Sequence, residues 1–159
     1  MEILIECATL DDFNSINLLV KEGHDEHSLA LPNIFRQVDQ VMPHEYFHSL
    51  LTNPSSEILI ARLANEVVGF AVVEVKEAPL FDSLIPRKFA YINDFGVAGK
   101  HNRKGVGKKI FHACLDWTRS QGATTLELNV WEFNNGAISF YESLGMETVS
   151  RKMAVRIDK

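Results

Sequence analysis

The stretch Asn102-Arg103-Lys104-Gly105-Val106-Gly107 has the residue types of an anion cradle. Its glycines let the chain turn with main-chain N–H groups uncovered, and the helix pattern that follows adds the unpaired N–H groups and positive dipole end of a first turn. Arg103, Lys104, Lys108 and Lys109 surround the loop with positive charge in a chain whose net charge is −5. A ligand carrying phosphate is the expectation. The pattern Gly-x-x-x-x-Gly-Lys-Ser/Thr of nucleoside-triphosphate loops does not fit, because only Val106 separates the two glycines and Lys108 is followed by Lys109. Gly-x-Gly-x-x-Gly fails as well, since Ile110 stands where its third glycine belongs.

A second segment narrows the choice. Gly105-Val106-Gly107 resembles the end of the Gln/Arg-x-x-Gly-x-Gly/Ala pyrophosphate loop of the GNAT superfamily of acetyl-CoA-dependent N-acetyltransferases, with Asn102 in the place of the usual Gln or Arg. Asn134-Asn135-Gly136-Ala137-Ile138-Ser139-Phe140-Tyr141-Glu142-Ser143-Leu144-Gly145-Met146 resembles that family's Asn-x-x-Ala-x-x-Phe-Tyr-x-x-x-Gly-Phe segment. The two occur in the family's order and at its spacing. The resemblance implies that acetyl-CoA binds through Asn102, Arg103, Lys104, Gly105, Val106, Gly107 and Lys108. It also implies that Phe95, Gly96 and Val97 pair their backbone with the pantetheine arm, that Asn134 bonds the arm or a nearby backbone group, and that the arm enters a splay between two parallel strands. A non-catalytic acyl-CoA-binding module, or a protein holding another diphosphate in the same loop, are the competing classes.

Amine acetylation needs a neutral amine, donors for a developing oxyanion and a proton for the departing thiolate. By resemblance Tyr141 supplies that proton, while its ring also suits the apolar face of Phe140 and Leu144. Several related acetylases place a basic Glu five residues before the motif's Asn; here that place is Asn129, which cannot accept a proton. Glu127, on the same strand face as Asn129, and Asp94, on the strand feeding the loop, are the candidate bases, with solvent as a third route. His44 and His48 lie one helical turn apart, but no third ligand accompanies them, so no metal is expected. The acceptor is a primary amine: a small amine, polyamine, amino acid or protein amino group.

These residues require elements to hold them. Tyr91 to Val97 reads as a strand; Val106, Ile110, Ala113, Cys114 and Trp117 form one stripe of the helix after the loop; Thr124 to Trp131 reads as the next strand and Asn135 to Leu144 as a helix stopped by Gly145. Upstream, Glu2 to Glu6 is a first strand, Thr9 caps a helix beginning near Leu10, and Gly23 to Pro43 is a loop or broken helix. Pro43 opens a second helix with Tyr46, Phe47, Leu50 and Leu51 inward, and Glu57 to Leu63 with Val67 to Lys76 make a hairpin joined at Ala64-Asn65-Glu66. Met146 to Ile157 reads as a final hairpin. The expected fold is therefore α/β, a mixed sheet of about seven strands with helices on both faces, in the order β-α-α-β-β-β-α-β-α-β-β.

The 159 residues, 46% hydrophobic, fit a single domain spanning 1–159. The acidic balance argues against a nucleic-acid partner, since the basic residues cluster around one loop rather than over a broad face. Cys7 and Cys114 make neither a disulfide framework nor a zinc site. The N-terminus lacks a basic leader pattern, and the apolar run from Glu57 to Val75 is broken by charges, so a cytoplasmic protein without membrane association is expected. Exposed strand edges at the C-terminus favour a homodimer.

Overall fold

A computed structural model describes residues 2–158, in two compact units, Met1–Asn129 and Val130–Lys159. In the first unit β1 (Ile3–Cys7) leads through a tight turn at Leu10–Asp12 into α1 (Phe13–Ala30), followed by α2 (His44–Thr52), β2 (Ser56–Leu63), β3 (Glu66–Glu77), β4 (Lys88–Val97), a turn at Gly99–His101, α3 (Val106–Ser120) and β5 (Leu126–Glu127). The sheet order is β1-β2-β3-β4-β5, antiparallel through β4, with β4 and β5 parallel and joined by α3.

The α/β class and mixed sheet agree with the sequence, and the sheet has five strands among the described residues rather than about seven. The strand expected over Thr124 to Trp131 enters the ladder only at Leu126 and Glu127, opposite Ala90 and Tyr91. Met146 to Ile157 alternates like a strand but enters no ladder among the described residues, and alternation alone does not define a strand, which needs partnered backbone bonds.

Two periodicities fix the layers. On β3, Phe70 and Val72 join Ile16, Leu19, Val20, Phe47 and Leu50 in one apolar cluster, so this side of the sheet is covered by α1 and α2. Gly69 faces the other side, where a Cβ would stand 2.6 Å from Ile110 and 3.1 Å from Val106 of α3. Both sides of β3 are therefore covered, which is why Val68 through Val73 is a nearly unbroken apolar run apart from Gly69. The β2–β3 hairpin turns at Ala64 and Asn65, both with positive φ (51° and 66°), as a two-residue turn matched to strand twist requires.

The first helix is longer than its sequence pattern implied, continuing past Gly23 to Ala30. Local bonds carry it: Lys21 pairs with Asp25 at 2.9 Å, the Ser28 hydroxyl donates to the Asp25 carbonyl at 3.0 Å, and His27 Nδ1 lies 2.7 Å from the Gly23 carbonyl oxygen. On α2 Phe47 and Leu50 are buried as expected, whereas Tyr46 is 43% exposed and Leu51 only half-buried. At the opposite end of the unit, buried Asp12 accepts from the Thr9 N–H at 2.9 Å and pairs with Arg62 of β2 at 2.8 Å.

The second unit holds α4 (Asn135–Ser143). Asn134 caps it, its side-chain oxygen accepting from the Ala137 N–H at 3.1 Å. The helix ends through Gly145 at φ +97°, with the Met146 N–H donating to the Tyr141 carbonyl at 3.1 Å.

Candidate functional site

The loop after β4 is a left-handed kink followed by a helix start. Arg103 (φ +64°) and Gly105 (φ +84°) both take the left-handed region, and Gly105 is the N-cap of α3. Alternating hand along such a turn points successive N–H groups toward one concave side. No hydrogen bond within the described chain uses the N–H groups of Arg103 to Lys108; the first helical bond runs from Lys109 to Gly105, at 3.1 Å. Nor does an ion pair among the described residues engage Arg103, Lys104, Lys108 or Lys109, although nearby Lys100 is held by Glu66 at 2.8 Å. Unclaimed amides and unclaimed cations at one helix N-terminus fit a diphosphate. His101, on the turn leading into this loop, buries both ring nitrogens without a partner.

Gly69 sets the height of this cradle above the sheet. It lies directly beneath Val106 and Ile110, the first inward residues of α3, so the absence of its Cβ lets the helix start settle onto β3.

β4 carries a one-residue bulge at Asn93: Val73 lies opposite Ile92 and Val72 opposite Asp94, leaving Asn93 unmatched. Ordinary alternation would put Ile92 and Asp94 on the same side of the sheet. With the bulge, Ile92 shares the α3 side with Val73, while Asp94 is turned to the side of Val72, under α1 and α2. The Asp94 carboxylate accepts from the Phe95 N–H at 3.0 Å. Burial raises its pKa from 3.8 to about 6, opposed by that hydrogen bond and by nearby His27.

Among the described residues the β4–β5 ladder ends at the Tyr91–Glu127 pair, while β4 stays paired with β3 as far as Val97. Phe95, Gly96 and Val97 stand beyond that end of the ladder.

Sequence reasoning did not single out Tyr46 or Glu74 for the site. Burial raises the Tyr46 phenol above its ordinary pKa, and the charges of Glu74 and Asp94 add to the shift, which sets these three groups in one electrostatic neighbourhood. The bulge at Asn93 was the missing signal: without it, Asp94 cannot be assigned to the same side as Glu74. Glu127 is placed differently, at the joined end of the parallel pair, where its carboxylate takes the Arg87 guanidinium at 2.6 Å and the Thr125 hydroxyl at 3.0 Å. Asn129 is exposed.

In the second unit, Tyr141 is half-buried on α4 with its ring edge-on to Phe140 at 5.3 Å, and Asn134 spends its side-chain oxygen on the cap. The histidines have structural surroundings: His24 lies 2.6 Å from the Arg36 carbonyl oxygen, His44 packs against Phe13 at 4.7 Å, and no cluster of three or more metal-ligating side chains occurs among the described residues. No helix among those residues is long and apolar enough to cross a membrane.

The acetyltransferase (GNAT) family profile matches residues 22–146, which span the cradle, the bulged strand and α4. The chain belongs to the GNAT family. It is accordingly an acyltransferase. An uncharacterized N-acetyltransferase, YhfO, of Bacillus subtilis is 32% identical over 114 residues, 71% of this chain and 74% of the relative. A mutant of the BH1408 protein of Bacillus halodurans has a crystal structure similar at a TM-score of 0.94, with 26% identity, covering 97% of this chain and 99% of that one. The aminoglycoside N-acetyltransferase AAC(6')-Iy, solved in complex with CoA, is similar in fold at a TM-score of 0.73 and 15% identity, over 98% of this chain and all of that one.

Proposed function

We propose that residues 1–159 act as one N-acetyltransferase domain that moves an acetyl group from acetyl-CoA to a primary amine by direct attack. The observation that carries the reading is the row of uncommitted N–H groups from Arg103 to Lys108, in the loop that follows β4 at the start of α3. Acetyl-CoA supplies a thioester that a neutral amine can attack. The amides of Gly105 to Lys108 hold its pyrophosphate, with Arg103, Lys104 and Lys108 screening the charge and the Asn102 turn shaping the entry. The backbone of Phe95, Gly96 and Val97 holds the pantetheine arm as an added strand would, and Asn134 supports it.

Asp94 is the base we favour over Glu127. It lies about 7 Å further along β4 than Tyr91, two ladder steps at roughly 3.3 Å each because Asn93 is bulged out, and so beyond the end of the β4–β5 ladder. Its raised pKa, about 6, leaves it ionised at neutral pH yet basic enough to take an ammonium proton. Glu127 is anchored to Arg87 at the joined end of the parallel pair, where the ion pair already occupies its carboxylate. The Tyr141 hydroxyl gives its proton to the departing sulfur. The carboxylates Glu74 and Asp94, with the Tyr46 ring, favour a cationic acceptor over an acidic one. Further proposals are a cytoplasmic location and a homodimer.

Titration calorimetry with CoA, ATP and NAD tests the donor site, and thiol release across a panel of amines tests the reaction. Heat with CoA alone, followed by amine-dependent thiol release, is expected. Binding of ATP or NAD in preference to CoA would refute the donor assignment, and CoA binding without turnover on any amine would leave only a binding module.

A further inference from the structure

The segment between β4 and α3 belongs to neither the sheet nor the helix. Its last bond to the sheet runs from the Ala98 N–H to the Val68 carbonyl at 2.8 Å, and the first helical bond, from Lys109, falls on the Gly105 carbonyl. Two bonds inside the segment curl it into a turn, from the His101 N–H to the Ala98 carbonyl at 2.8 Å and from the Asn102 N–H to the Gly99 carbonyl at 3.2 Å. Bonds of that kind give a turn its shape but do not fix how it stands against its surroundings. Among the described residues two carboxylates of the same unit do so. Glu66, at the start of β3, holds the Lys100 ammonium at 2.8 Å. Glu22, on α1, accepts the Gly99 N–H at 3.0 Å through Oε1 and at 3.3 Å through Oε2.

These two ties differ in kind. The Lys100–Glu66 pair joins two flexible, exposed side chains, an arrangement that constrains the main chain little. Glu22 engages the main chain itself, and a carboxylate on a backbone N–H makes one of the stronger protein hydrogen bonds. Position 99 leaves room for it, since a Cβ there would stand 3.0 Å from Glu22 Oε1. The support behind Glu22 is firm: Ile16, Leu19 and Val20 of α1 are buried in the core, so the bond refers the turn to the interior of the unit. Charge does not account for a carboxylate here, because it repels a diphosphate held in the loop that follows.

We infer that Glu22 is a positioning residue for the donor: by holding the Gly99 N–H it fixes the turn from which the amides of Arg103 to Lys108 are presented. Its role rests on the donor reading, in which those amides hold the pyrophosphate of CoA. A turn already fixed has less ordering to lose when the ligand arrives, and that saving is read as affinity. Calorimetric titration of the full chain with CoA tests it, for the parent, Glu22→Ala and Glu22→Gln, with melting temperatures measured alongside. Glu22→Ala removes the acceptor and is expected to weaken CoA about fivefold while the melting temperature stays within about 2 °C. Glu22→Gln loses the charge but keeps an acceptor oxygen, and CoA is expected to bind within about twofold of the parent. Tighter binding by both variants would mean that the carboxylate acts only through its charge, which overturns the assignment. It is overturned as well if Glu22→Ala binds like the parent, or if Glu22→Gln binds as weakly as Glu22→Ala. Should Glu22→Ala melt early, the titration is run at a temperature where it is fully folded, and parental affinity there refutes the role. A parent chain that takes up no CoA refutes the donor reading itself, an outcome distinct from any difference among the variants.

Discussion

Replacing Asp94 with asparagine should cost activity and gain stability, and the gain should depend on pH. The folded carboxyl titrates near 6 against an ordinary 3.8, because burial disfavours its charge more than the Phe95 N–H and His27 favour it. A carboxyl whose pKa is raised by folding contributes stability that is intact below its unfolded pKa and is lost as pH climbs through the folded one. At about 1.4 kcal/mol per unit the full difference is roughly 3 kcal/mol, which partial solvent access reduces to about 2. Asparagine keeps the acceptor for the Phe95 N–H and never ionises. Near pH 8 the variant should therefore melt about 4–8 °C above the parent, by the scale of about 2–4 °C per kcal/mol for a domain of this size. The gap should shrink to about half by pH 5 and to about a fifth at pH 4, closing only well below the ordinary value of 3.8, where both states of the parent hold their protons. Turnover should fall by about a hundredfold or more, and the parent's rise in kcat/KM through pH 6 should vanish from the variant's profile. Calorimetric melts at pH 4, 5 and 8, paired with thiol-release rates over the same range, provide the assay. A variant less stable than the parent at pH 8, or a gap that does not change with pH, would refute the reasoning about burial. A retained limb at pH 6 would remove Asp94 from the chemistry.

Tyr141→Phe should lower kcat about a hundredfold while leaving CoA affinity within twofold by calorimetry; parental turnover would end its role as acid. Gly69→Ala places a methyl 2.6 Å from Ile110 and 3.1 Å from Val106, so it should lift the start of α3 and weaken CoA binding about tenfold, by more than its effect on the melting temperature accounts for. Asp12→Ala should destabilise the chain by about 2 kcal/mol at neutral pH by leaving Arg62 with Glu6 alone. Asp12 is penalised by burial, but the Thr9 N–H and Arg62 outweigh it and hold the pKa below 3.8, so this contribution is present above about pH 4 and should disappear on acidification, as acid melts of parent and variant would show. Cys7, although exposed, should react slowly with disulfide reagents at pH 7.5: a hydrogen bond to Glu57, burial and the Glu57 charge push its thiol up to about 11, and Glu57→Gln should speed the reaction severalfold.

Local chemistry made much of this legible from residues alone. The glycine loop, the Asn134 cap, the Gly145 stop and the Ala64–Asn65 turn each depend on a few adjacent residues, and each stands where the sequence put it. What escaped depends on partners distant in the chain. The continuation of α1 past Gly23 rests on side-chain bonds that apolar periodicity does not record, and Tyr46 looked inward on a helical wheel that could not register how α2 sits over the sheet. The shortness of β5 follows from where its ladder with β4 ends, which is not a property of its own residues. The side of the sheet on which Asp94 stands was not legible, because a bulge leaves no compositional mark.

That bulge divides β4 into two frames. As far as Ile92 odd and even residues keep one assignment to the two sides of the sheet; after Asn93 the parity is reversed. Deleting Asn93 would remove only the surplus residue, leaving Ile92 opposite Val73 and Asp94 opposite Val72, whereas the full-length strand paired without its bulge would send Asp94 into the layer beneath α3. In this strand, then, a surplus of one residue is itself a structural parameter, because where it is absorbed decides which layer every later side chain enters.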